Sequence, residues 1–155
     1  MADTNVTRDR ITQAVLGYHA VKTAATVPAG TTQNIFTVTG GRVAVRLLIG
    51  EVTTIVQAQA NNLKVTSAPT VGTAVDLASN LDINGKEAGT LFITELDGTA
   101  LVGANAGAAL SGVGQTLCIV PVGSIRIETS ATNTGATKWD IWYFPLDVGA
   151  SIASA

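Results

Sequence analysis

The chain has 155 residues, enough for one domain that buries roughly two-thirds of its unfolded surface without disulfide or metal staples. A formal net charge of −2 excludes a broad basic surface for nucleic acid, and no apolar run reaches the roughly 18 residues of a membrane-spanning helix. Charged residues make up only 13% against about 25% in ordinary soluble domains, and 46% are hydrophobic, so part of the surface is expected to lie against other chains.

Residues 1–25 concentrate charge in Asp3, Arg8, Asp9, Arg10 and Lys22, and they space Ile11, Val15 and Tyr18 four and three apart. That spacing fits one face of a short amphipathic helix with Thr7 as its N-cap. It fits equally an extended arm that orders on a partner. Gly17 interrupts the helical reading at a cost of about 1 kcal/mol. The stretch after Arg10 is too polar for the core of a signal peptide, so the chain is expected to be made in a cytoplasm without an export address of its own.

From Val27 the pattern changes to strands. Asn34–Thr39 and Arg42–Ile49 flank Gly40-Gly41, and a Gly-Gly pair between apolar runs predicts a hairpin. Gly50 predicts a bulge or bend, followed by a strand over Glu51–Gln59, a turn at Asn61-Asn62 and a short strand over Leu63–Thr66. Residues 69–87 form the least regular stretch, with a turn at Asn84-Gly85. Thr90–Leu96 reads as a strand, Asp97-Gly98 as a turn, and Thr99–Val102 as the return. Residues 103–114 are Gly- and Ala-rich and read as a loop, and the apolar run within Gln115–Val122 reads as a buried strand.

The plainest hairpin signal closes the chain. Ile125 and Ile127 point one way and Arg126 and Glu128 the other, so this strand has one buried face. Thr132-Asn133-Thr134-Gly135 breaks the run, and Thr137–Phe144 returns. Trp139, Ile141 and Tyr143 share one face of the return strand; Lys138, Asp140, Trp142 and Phe144 share the other. Aromatic residues on both faces imply two covers, the core on one side and a second copy of the chain at Trp142 and Phe144 on the other. A homo-oligomer, a trimer, follows as an expectation. Pro145 stops the ladder. The chain thus divides into an arm or short helix at 1–25, a β-domain at 26–147 and a tail at 148–155. The fold class is all-β, an antiparallel β-sandwich or jelly-roll-like barrel with an N-terminal arm.

Residues able to do chemistry are few. His19 stands in the segment with least predicted order, whereas a catalytic base needs a rigid frame. Cys118 sits in an apolar run with no basic neighbour in sequence, which reads as a small buried hydrophobe. Asn80, Asp82, Asn84 and Gly85 imitate the first half of a calcium loop, but the twelfth position is Leu91 where a bidentate Glu is needed. No catalytic, cofactor-binding or metal-ligating residue is expected, and the chain is not expected to be an enzyme.

The closing segment, GSIRIETSATNTGATKWDIWYFPLD, resembles the C-terminal hairpin of small structural proteins of tailed bacteriophages. The matching positions are Asn133, Gly135, Lys138, Trp139, Tyr143, Pro145, Leu146 and Asp147. The layout of arm, compact β-domain and sparse charge is similar to that of head decoration (cement) proteins. The resemblance covers the last 25 or so residues. It implies a β-domain, often trimeric, fixed to the outside of a viral capsid with its arm on the major capsid protein. Arg8, Arg10, Ile11, Val15 and Tyr18 would then meet the shell. The alternative is a host-surface or glycan-binding module of a tail or head fibre, with Trp142 and Asp140 as reader.

Overall fold

A computed structural model describes residues 4–103, 105 and 117–155, with the backbone alone for 4–9. The expected loop at 103–114 and the start of the run at Gln115 fall largely outside the described residues. Among the described residues one helix, α1 (Thr4–Leu16), precedes eleven strands. They are β1 (Tyr18–Thr26), β2 (Thr32–Thr39), β3 (Val43–Thr54), β4 (Asn62–Pro69), β5 (Val75–Asp82) and β6 (Leu91–Ile93). β7 (Val102–Gly103), β8 (Cys118–Val120), β9 (Gly123–Thr129), β10 (Ala136–Pro145) and β11 (Ser151–Ser154) complete the set. Every pairing between these strands is antiparallel, in two sheets: β1-β10-β3-β6-β7 with β8 also on β3, and β11-β2-β9-β4-β5; Ser79 and Ala100 add one isolated parallel bridge. The protein is the all-β sandwich that the alternation predicts.

The alternation also names the core correctly. Ile125 and Ile127 on β9, and Trp139, Ile141 and Tyr143 on β10, are buried between the sheets with Phe36, Val45, Leu48, Val65 and Phe92. What alternation does not name is the neighbouring strand. β9 and β10 are not a hairpin: β9 pairs with β2 and β4, and β10 pairs with β1 and β3 in the other sheet. Residues 130–135 are an arch from one sheet to the other. It is held by the buried Asn61, whose Oδ1 accepts from the N–H groups of Ser130 (3.0 Å) and Ala131 (2.9 Å) and whose Nδ2 donates to Ala131 O (2.9 Å). Asn133, also buried, donates to the carbonyls of Gln57 and Gln59. Asn61-Asn62 is therefore a clasp and not merely a turn.

Gly40-Gly41 likewise joins β2 in one sheet to β3 in the other, so the second expected hairpin is also a crossing. The Gly40 backbone packs against the Gly149 carbonyl, which leaves no room for a side chain. Gly50 does not bend the chain; β3 runs straight through it. Gly50 is paired with Trp139, and the indole lies across it, so the missing side chain makes room for the ring. Three further expectations are corrected. Residues 75–82, within the stretch read as irregular, form β5 against β4. The run read as a buried strand pairs over only Cys118–Val120, with Leu117 and Ile119 exposed. The last residues are not a tail: β11 pairs with β2 and buries Ile152. Two turns stand as read, Asn84-Gly85, closed by Lys86 N–H to Ile83 O at 3.2 Å, and Asp97-Gly98, after which Val102 pairs back to Ile93.

Candidate functional site: α1 and the outer face of its sheet

Gly17 ends α1. Its φ of +89° is left-handed, and its N–H bonds back to Gln13 O at 2.9 Å, which is how a glycine closes a helix. A Cβ there would meet the Tyr143 carbonyl at 2.5 Å, so the chain can turn at this point only because residue 17 has no side chain. The helical stripe read from the sequence is therefore cut: Ile11 and Val15 lie on α1, but Tyr18 opens β1 and its ring packs at 5.8 Å from that of Tyr143. Residues 18–25 are not part of an arm. They form most of the edge strand of the first sheet, and Ala20 pairs with Ile141.

A bulge supplies the second anchor. Between Trp142 and Tyr143 the β10–β3 register shifts by one, Trp142 opposite Leu47 and Tyr143 opposite Val45. Arg46 is the extra residue, and bulges re-aim side chains. Its guanidinium donates to Val15 O, one of the carbonyls that the last turn of a helix leaves unpaired. Leu16, Arg46, Leu47 and Trp142 line a half-open pocket of about 190 Å³. A second cavity, of about 320 Å³, is lined by Thr12, Gln13, Gly17, Tyr18, His19 and Trp142.

His19 is not in an unordered segment. It sits on β1 opposite Trp142, and the two rings stack at 4.4 Å between centroids and 16° between planes. Its Nε2 lies 2.8 Å from Asp140 Oδ1, while Lys138 Nζ lies 3.3 Å from Asp140 Oδ2 and 3.7 Å from Glu51 Oε2. Both groups that a glycan reader would use, Trp142 and Asp140, are thus engaged within the chain. No other hydrogen-bonding side chain is paired with the imidazole among the described residues. Cys118 is half-buried on β8, and burial pushes its thiol up, away from the thiolate. Asp82 Oδ1 accepts from the backbone N–H groups of Asn61 and Asn84, so the calcium-like spacing serves a polar turn.

The expected contact residues divide by position. Ile11, Val15 and Tyr18 are 59%, 56% and 47% exposed, with Leu16 and Arg10 exposed beside them. The side chain of Arg8 lies outside the described residues. Trp142 and Phe144 are half-buried on the outer face of the sheet, as the alternation places them. Sequence reasoning missed Arg46, Leu47, His19 and Asp140 as one group. Gly17 was the available signal, because a glycine directly after an amphipathic run marks a helix end.

The opposite sheet carries its own charges on its outer face. Lys64 on β4 meets Asp76 on β5 at 3.0 Å and Glu128 on β9 at 3.3 Å, and Arg126 meets Glu128 at 2.8 Å. The hydrogen bond to Asp76 raises the Lys64 ammonium. The two Lys64 pairs cross between strands and tie β4, β5 and β9 together, while Arg126 pairs with Glu128 along β9.

No protein-family model matches the sequence, and no curated protein matches it. Among solved structures the chain is similar to one from infectious bursal disease virus, Gx strain, at 13% identity and a TM-score of 0.22. The match covers 87% of this chain and 33% of that one, so this chain spans about a third of that protein's length. A likeness of that size decides neither fold nor role.

Proposed function

We propose that this protein is a non-enzymatic structural component of a virion, a decoration protein that attaches to the outside of a viral head through α1. One observation carries the reading. A helix that belongs to a domain turns its apolar residues inward. Here α1 is held at its C-terminal end by Gly17 and Arg46, while Ile11, Val15 and Leu16 are exposed. A helix of 13 residues is marginal alone, so such a stripe gains its stability on a partner. The partner is the major capsid protein, with acidic groups that meet Arg10 and Arg8. The resemblance of the closing segment to phage structural proteins supports the same reading. A trimer would cover the outer face of the α1-bearing sheet, where the register sets Val21, Asp140, Ile49, Ile93 and Val102 in one row, apolar but for the paired Asp140.

The test is a binding titration on expanded, empty heads with the whole chain, a form lacking residues 1–16, and Arg10→Ala. The truncation stops at Leu16 because a cut through residue 25 would strip β1 from β10 and unfold more than the helix. The shortened protein is expected to stay folded and to lose binding. Arg10→Ala is expected to bind more weakly at low salt and to converge with the parent as salt rises. Full binding by the truncated form would remove α1 from the mechanism and bring the fibre-module alternative forward. Sedimentation of free and head-bound protein tests the trimer.

A further inference from the structure

The arginines of the strands are partnered unequally. Arg42 and Arg126 each lie on a carboxylate, that of Asp147 and that of Glu128, at 2.8 Å. Arg46 is given a neutral carbonyl instead, Val15 O, and no carboxylate pairs with it among the described residues. A guanidinium carries five N–H donors in a fixed fork, and Arg46 uses one of them there. The same side chain lines the half-open pocket of about 190 Å³ whose other walls are Leu16, Leu47 and Trp142. Among the described residues no other charged side chain lines it, and its remaining walls are apolar but for the indole N–H. An apolar cavity of about 150 Å³ stays dry and takes up benzene, so this pocket has room for one aromatic ring.

We propose that this pocket is a socket for one aromatic side chain of a partner protein, and that Arg46 takes a carboxylate beside that ring. The occupant is a peptide segment in which a phenylalanine neighbours an acidic residue. Leu16, Leu47 and Trp142 bury the ring, and the free part of the Arg46 fork donates to the carboxylate in a charge-assisted pair. Tryptophan and arginine around a pocket are the residue types that carry most of the binding energy at protein interfaces. Nucleic acid is a poor fit, since one guanidinium on a chain of net charge −2 neutralises too little phosphate. A second copy of this chain is a poor fit as well. Among the described residues its one large exposed aromatic side chain is Tyr18, flanked by Gly17 and His19 with no acidic neighbour. Leu16 is the last residue of α1, so the socket continues the attachment surface proposed above. What it takes does not depend on that partner being a capsid protein.

The test titrates capped dipeptides into the full-length, isotope-labelled protein: acetyl-Asp-Phe-amide, acetyl-Asn-Phe-amide and acetyl-Asp-Ala-amide. Nuclear magnetic resonance reads the Trp142 indole N–H and the Arg46 Nε–H, and Trp142→Phe identifies the first of these signals. The Asp-Phe peptide is expected to shift both signals with a dissociation constant of roughly millimolar size, as befits so small a ligand. Exchanging its Asp for Asn should weaken binding about two- to five-fold at low salt, with the difference closing as salt rises. Exchanging its Phe for Ala should remove the Trp142 response. Arg46→Gln, which keeps a donor for Val15 O, should erase the preference for Asp over Asn while the ring still shifts Trp142. Leu16→Ala changes an exposed wall of the pocket and should weaken both Phe peptides alike. Equal binding of the Asp and Asn peptides at low salt, or a preference that survives Arg46→Gln, overturns the proposal. So does the absence of any response at Trp142, which is what a neighbouring copy seated in the socket would give. None of these measurements involves a viral head, so their failure is distinct from a failure of α1 to attach to one.

Discussion

Replacing Gly50 by alanine puts a methyl group where the Trp139 indole already lies. The new Cβ would stand 2.8 Å from Cη2 and Cζ3 and 3.0 Å from Cζ2, against about 3.5–4.0 Å for ordinary carbon contacts. The ring has to withdraw by about 1 Å. It cannot do so freely: Trp139 is 1% exposed, its Nε1–H donates to Thr137 Oγ1 at 3.1 Å, and Phe92 stands 6.2 Å away on the core side. Overpacking of this kind costs about 1–3 kcal/mol. In a strand without the clash, alanine would instead be favoured over glycine by about 0.5–1 kcal/mol through the unfolded chain. The two effects have opposite signs, and the geometry says the clash wins, leaving Gly50→Ala about 1–2 kcal/mol less stable. In a Trp139→Phe background the shorter ring relieves the contact, and the same replacement should become neutral or stabilising. Urea unfolding followed by far-ultraviolet circular dichroism measures both, independent of the tryptophan signal. A stabilising Gly50→Ala in the parent protein, or an identical cost in the two backgrounds, would refute the packing argument.

Trp139→Ala should cost about 3–5 kcal/mol through lost burial and a residual cavity. Trp142→Ala, half-buried on the outer face and stacked on His19, should cost clearly less than Trp139→Ala in urea unfolding. Asn61→Ala leaves the part-buried Ala131 N–H without its acceptor, while the Ser130 N–H keeps Asn62 O, and should cost about 1–2 kcal/mol in the same assay. Arg42 holds the Asp147 carboxyl well below the usual carboxylate range, through its guanidinium and then its backbone N–H. A folded-state value depressed below the unfolded one means the stabilisation is complete above about pH 4 and is lost as pH falls from there toward the folded value. Asp147→Asn should therefore flatten the acid side of a stability-against-pH curve, and an unchanged acid slope would count against the clamp.

What the sequence determined by itself was which side chains go inside. The two-residue period of Ile125-Arg126-Ile127-Glu128 and of Trp139-Asp140-Ile141-Trp142-Tyr143 fixes a buried face whatever strand lies alongside, because alternate Cβ atoms point to opposite sides of any sheet. It also placed Trp142 and Phe144 on the outer face and marked a distinct N-terminal segment. The choice of neighbour was not legible. β9 and β10 look like a hairpin, yet each joins a different sheet, because the 130–135 arch is set by Asn61, some 70 residues earlier, and alternation carries no information about that contact. β11 carries a single buried residue, Ile152, too little pattern to read as a strand until β2 offers its free edge. His19 and Asp140 are the extreme case, since they are 121 residues apart and become neighbours only because β1 pairs with β10. Face follows from local geometry and is written along the chain. Partner follows from which edges remain unpaired once the core has closed, and only the tertiary structure decides that.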